Sequence, residues 1–206
     1  MAHSLLHAKE SGLFEAVAVS SDSLEILDVG REYGADYIIK RPAVMAADNA
    51  PKIPVIMHCV QEAEKLSGTF FSVTVDLDAT SPLRFPEDIH GAVRLLEERG
   101  VSNVISGTPA RRSPYFNLVE LDEHGIVKLS KLPEFPIARR QDAPKCYDLN
   151  ASVYVWRREA LFSRPSLFNN DTLLYVMPED RSIDIDSELD FEIVEFLLKK
   201  RGKGGG

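Results

Sequence analysis

The chain has little with which to grip nucleic acid or a membrane. Its 206 residues hold 24 Lys and Arg against 32 Asp and Glu, a net charge of −8. That balance argues against a general nucleic-acid or membrane-surface binder, but leaves room for a local cationic pocket around a small anion. No apolar run is long enough to span a bilayer. Cysteine is scarce: Cys59 and Cys146 lie far apart and form no metal-ligand spacing, which fits a reduced, cytoplasmic setting. The five histidines form no cluster, and Cys146 lacks the partners of a nucleophile, so it reads as a packed thiol. No signal peptide is expected, because Met1-Ala2-His3 leads straight into a helical pattern. No Gly-rich phosphate loop stands before the tail Gly202–Gly206, which reads as flexible.

What is there is a core. Hydrophobic residues make up 44% of the chain, enough for one medium α/β domain over residues 1–201. Helical spacing around Leu5 and Ala8 ends at Gly12. Ala16–Ser20 is a run of small residues that suits a buried parallel strand. Ser23 N-caps the next expected helix, and Gly34 stops it. Strands are expected at Tyr37–Lys40, Phe70–Leu77 and Val101–Ser106, with helices around Val55–Ala63 and over Pro86–Arg99. This alternation predicts a mostly parallel, doubly wound sheet. Beyond it come a hairpin around Glu123-His124-Gly125, a Pro-rich basic arm near residues 130–143, strands at Tyr147–Trp156 and Leu173–Met177, and a last helix over Leu189–Lys199.

The densest chemistry is Ser182-Ile183-Asp184-Ile185-Asp186-Ser187-Glu188-Leu189-Asp190. On an extended strand, residues two apart share a face, so Asp184 and Asp186 would project together. Paired carboxylates repel unless a cation sits between them, and Mg²⁺ is usually held by one or two carboxylates plus substrate phosphates. The plainer reading is a solvated edge leading into a helix N-terminus. Asp76-Leu77-Asp78 with Thr80, Ser81 and Arg84 follows a buried strand, where open α/β sheets place ligands. Those carboxylates suit a metal or a sugar hydroxyl, or simply a polar loop. Arg111-Arg112 and Arg139-Arg140-Gln141 suit an anion, or ordinary surface pairing. Asn150, Ser152 and Tyr154 alternate along one expected strand and would line a pocket, or pack a core.

Several runs together resemble the acylneuraminate cytidylyltransferase (CMP-sialic acid synthetase) family. They are Ser11–Phe14 through Val19–Ser23, Arg41-Pro42 with Ala47-Asp48, Thr80–Ile89, Arg140-Gln141 with Pro144, Asn150–Tyr154, and Ile183–Asp190. The resemblance implies a Rossmann-like nucleotide-diphospho-sugar transferase fold. It also implies transfer of CMP from CTP to a nine-carbon α-keto sugar acid, with Mg²⁺ offsetting phosphate charge. By resemblance, Asp184 and Asp186 are catalytic metal ligands, and Ser21, Arg41, Ser81 and Arg84 lie at the nucleotide. Asp78, Arg140, Gln141, Asn150 and Tyr154 lie at the sugar acid, and the arm near 130–143 forms a homodimer. Three departures point from sialate toward a legionaminate-like acid: Asp78 replaces a Gln, Phe116 a Lys, and Asp148 an Arg. The family also opens with a strand and a Gly-rich loop for the CTP phosphates, and this chain begins after that point. The alternative is therefore a non-catalytic remnant that binds a sugar nucleotide.

Overall fold

A computed structural model describes residues 1–47, 50–133, 135, 137 and 139–203. Asp48, parts of the 130–143 arm (residues 134, 136 and 138) and the last three glycines lie outside the described residues.

The first half alternates as its sequence suggests. Helix α1 (Ala2–Ser11) closes on Gly12, whose φ of 63° places it in the left-handed region open to glycine. Strand β1 (Ala18–Ser21) leads to α2 (Leu24–Glu32), where the Ser23 hydroxyl accepts from Ile26 N–H as an N-cap. Strand β2 (Tyr37–Lys40), helix α3 (Lys52–Ser67) and strand β3 (Val73–Leu77) follow, then α4 (Pro86–Arg99) and β4 (Asn103–Pro109). A hairpin of β5 (Val119–Leu121) and β6 (Val127–Leu129) stands apart. The chain ends with β7 (Tyr147–Arg157), α5 (Arg158–Ser163), β8 (Leu173–Val176) and α6 (Glu188–Lys203).

The main sheet runs β3-β7-β4-β8. Its two faces are covered differently. Val153 and Val155 of β7 pack with Val104 against Ile89, Ala92 and Leu96 of α4. Tyr154 and Trp156 point the other way and pack with Ile105 against Ile56 and Val60 of α3 and Leu161 of α5. Helices on both faces bury both sides of the sheet, which is why its strands read as near-continuous apolar runs.

Three features differ from expectation. Only β4–β8 is a parallel pair in this sheet, because β7 inserts between β3 and β4 antiparallel to both. Residues 182–187 form no strand. Beyond local turns, Ile185 N–H ties them to the Thr80 carbonyl at 3.0 Å. Helix α5 follows β7 directly, where no helix was anticipated.

Strands β1 and β2 pair in parallel as a separate two-stranded sheet. Among the described residues, β1 has no strand neighbour on its other edge, and neither does β3. Between those edges lies a cavity of about 800 Å³, lined by Ala16–Ser20 on one side and Phe71–Ala79 on the other. It opens toward Arg41, Lys52, Asp76 and Asp78.

Candidate active site

Two loops meet at the site. One follows β3 and carries Asp78 to Arg84; the other precedes α6 and carries Asp184 and Asp186. The Ile185–Thr80 hydrogen bond joins them. Beneath that joint, Arg181 Nη2 lies 3.1 Å from Asp88 Oδ1, and the Asp88 side chain is fully buried. The guanidinium groups of Arg181 and Arg201 stack on Phe85 at 5.2 and 4.7 Å from its ring centre. Arg201 also donates to the Leu83 carbonyl at 2.7 Å and the Asp180 carbonyl at 2.9 Å. The C-terminal helix is thereby fastened to both loops.

Asp186 is exposed and Asp184 half-buried. Burial raises the pKa of Asp184, and the nearby charges of Asp186, Asp190 and Asp78 push it the same way. Asp190 serves the helix: it accepts from Ser187 N–H at 2.9 Å and from the Ser187 hydroxyl at 2.6 Å, while Ser187 Oγ receives Asp190 N–H. This reciprocal cap fixes where α6 begins. Among the described residues no group of three or more His, Cys, Asp or Glu converges as a metal cage. Two carboxylates without a third still fit Mg²⁺, whose remaining ligands are commonly waters and substrate phosphates.

Beside this pair lies a charge cluster that the sequence did not announce. Lys52 Nζ is 3.0 Å from Asp76 Oδ2, 3.1 Å from Asp78 Oδ2 and 4.6 Å from the Tyr154 ring centre. The Asp76 contact is an ion contact rather than an aligned hydrogen bond, since that buried oxygen has no hydrogen-bond partner. Asp78 Oδ1 meanwhile accepts from Thr80 N–H at 3.1 Å and the Thr80 hydroxyl at 3.0 Å. One signal in the sequence would have found Lys52: it opens a helix, where the macrodipole disfavours a cation. Cys59 lines the same cavity, but burial, with Asp76 adding to it, pushes its thiol up to about 12, so it supplies no thiolate.

The other expected site residues are spread over the fold. Arg41 faces the cavity, with its guanidinium on the Ser20 carbonyl at 2.7 Å and hydroxyl at 3.3 Å. Ser21 is buried and accepts from Ser23 N–H. Ser81 is buried, with its hydroxyl donating to the Asn150 carbonyl. Arg84 has no exposed surface: it donates to the Ser152 and Ser4 hydroxyls at 3.1 and 2.8 Å and to the Asp78 carbonyl. It ties loop, strand and α1 together, and in this structure offers a nucleotide no open face. Asn150 is likewise enclosed. It accepts from the Ser106 hydroxyl at 2.6 Å and donates to the Ser182 hydroxyl at 3.0 Å. Asn150, Ser152 and Tyr154 thus turn to three different sets of neighbours. A φ of 49° at Ala151 and a register shift between Ile105 and Gly107 break the alternation there. Arg140 and Gln141 sit in an exposed 3-10 turn, with Arg140 donating to the Ala110 carbonyl at 2.9 Å.

A profile described as cytidylyltransferase matches residues 1–181. The chain belongs to the cytidylyltransferase family. This cytidylyltransferase is 46% identical over 198 residues to a CMP-N,N'-diacetyllegionaminic acid synthase of Campylobacter jejuni, covering 96% of this chain and 83% of that one. It is 42% identical over 201 residues to the post-translational flagellin modification protein B of Campylobacter coli, covering 98% and 84%. Its fold matches the structure of a CMP:2-keto-3-deoxy-manno-octonic acid synthetase complexed with CTP at a TM-score of 0.63 and 13% identity, over 96% of this chain and 88% of that one.

Proposed function

We propose that this cytidylyltransferase joins CMP to a nonulosonic acid of the legionaminate type. The anomeric hydroxyl oxygen of the sugar attacks the α-phosphorus of CTP. The bond to the β,γ-phosphates breaks, and pyrophosphate leaves with the electron pair. The observation that carries this reading is the tether of the Asp184–Asp186 run to the Thr80 loop, in a chain so similar to a CMP-N,N'-diacetyllegionaminic acid synthase.

Asp184 and Asp186 would hold Mg²⁺, which when bound offsets charge building on the phosphates. Where Asp184 is not itself engaged by the metal, its carboxylate would instead receive the proton of the attacking hydroxyl. Arg41 provides a fixed cation at the mouth of the cavity, and Asp78 and Tyr154 face the sugar acid. The cavity between β1 and β3 would accept one further strand, whose end would carry backbone donors to the phosphates. The open edges of β1 and β3 support a second reading, in which the chain binds the sugar nucleotide without turning it over.

We further propose a homodimer. Leu121, Ile126 and Val127 of the hairpin and Leu132 and Phe135 of the arm are all exposed, apolar side chains that a partner copy would cover. Both cysteines are free, which agrees with a cytoplasmic enzyme. No described helix is long and apolar enough to cross a membrane.

The test is pyrophosphate release from CTP and Mg²⁺ with a panel of nonulosonic acids. It compares this chain with one extended by a strand and a Gly-rich loop. Release from the extended chain that Asp186→Ala abolishes is the expected result. Release that survives Asp186→Ala rejects the metal assignment, and release from neither chain favours the binding-only reading.

A further inference from the structure

By resemblance, the sugar side of the cleft is short of cations, because Phe116 and Asp148 replace Lys and Arg. Three nearby residues, Arg111, Arg112 and Asn117, are candidates to replace them, and Arg112 lies exposed. Arg111 is paired with Glu179, and the Asn117 side-chain oxygen accepts from Ser113 N–H. A further cation comes from a different element, the first turn of α3.

Lys52 is poorly explained as a fold anchor. A cation at a helix N-terminus is disfavoured by the macrodipole. Its side chain is 36% exposed toward the cavity, where solvent weakens its ion pairs. Yet its position is closely set. Asp78 is held from its other oxygen by Thr80, Asp76 lies on β3, and the Tyr154 ring forms the floor. Burial alone would lower the pKa of Lys52, but the two carboxylates outweigh it and raise it, so the ammonium stays charged.

The chemistry of the trio selects its ligand. Lys52 and the buried Arg84, which donates to the Asp78 carbonyl, together balance the charges of Asp76 and Asp78, so the cluster offers no net attraction to a phosphate or to the carboxylate of the sugar acid. An ammonium has three donors; one is aligned on Asp78 and the Asp76 contact is ionic, so donor capacity remains for a neutral acceptor. An N-acyl carbonyl oxygen is such an acceptor. We propose that Lys52 is a specificity-determining residue of the sugar subsite, donating to an acyl carbonyl of a diacylated nonulosonic acid. The inference rests on the function proposed above.

Calorimetric binding of N,N'-diacetyllegionaminate, N-acetylneuraminate and CTP to the unaltered chain, Lys52→Met and Lys52→Arg tests it. The unaltered chain should prefer the diacylated acid. Lys52→Met should cut that preference by about tenfold, the scale of one lost charged hydrogen bond, and leave CTP affinity unchanged. Lys52→Arg should keep part of the preference. Equal losses for both acids, a parallel loss for CTP, or a lower melting temperature with the preference intact would each overturn the role. Absence of binding to either acid by the unaltered chain would instead overturn the functional reading, and this inference with it. Should Lys52→Met not fold, the ¹⁵N signal of the Lys52 ammonium in the unaltered chain decides. It should shift with the diacylated acid and stay still with CTP, and the reverse pattern sinks the proposal.

Discussion

His7 has its Nδ1 buried without a hydrogen-bond partner. Burial, with the Arg84 charge next in effect, lowers its pKa to about 4. An unfolded chain would hold it near the ordinary value of roughly 6.5. Between those values the unfolded state takes up a proton that the folded state refuses. Stability is therefore full above the unfolded value and falls as pH drops through the window. Melting temperature should decline from pH 6.5 toward 4, and His7→Gln should flatten that decline in a calorimetric series. A decline of unchanged slope in the variant would place the effect on the carboxylates instead. Burial also separates the candidate site residues that the sequence singles out. Asp184 and Asp186 stand out because alternating Asp and Ile is an unusual pattern, and the structure leaves both open to a ligand. Arg84, Ser81 and Asn150 carry polar groups of the same kinds, yet the fold spends them on internal hydrogen bonds. Composition cannot separate those fates, because burial depends on contacts distant in the chain. Lys52 illustrates the converse, since its partners lie 24 and 26 residues away.

The elements that were legible are those with local punctuation. Gly12, Gly34, Ser23 and Pro86 mark boundaries by their own backbone chemistry, and α4 and β2 span the residues expected of them. The direction of β7 was not legible. An apolar run buried on both faces reads the same whether its neighbours are parallel or antiparallel. Nor was the kink at Ala151, because a lone alanine carries no sign that it will adopt a positive φ. One glycine has a packing role the sequence hides. A Cβ at Gly91 of α4 would intrude on the ring of Tyr175, which faces Asp88. Gly91→Ala should push Tyr175 away and destabilise the protein by about 1–3 kcal/mol in urea unfolding, despite the better helix propensity of alanine. A neutral or stabilising change would mean that the ring moves freely.

At the scale of the whole molecule, the exposed apolar hairpin and arm predict self-association. Light scattering at micromolar concentration should give twice the mass of the 206-residue chain. Charged substitutions at Leu121 and Val127 should return it to one copy, whereas a single copy from the outset would reject the dimer. The separation of the β1–β2 pair from the main sheet has its own consequence. A strand with a neighbour on one side leaves alternate amides without a partner, whereas β4 and β7 are flanked on both sides. In deuterated water, alternate positions of β1 and β3 should exchange at once while β4 and β7 stay protonated. Each residue along the gap then keeps its own clock, and whatever comes to lie there would be timed, amide by amide, by the clocks it stops.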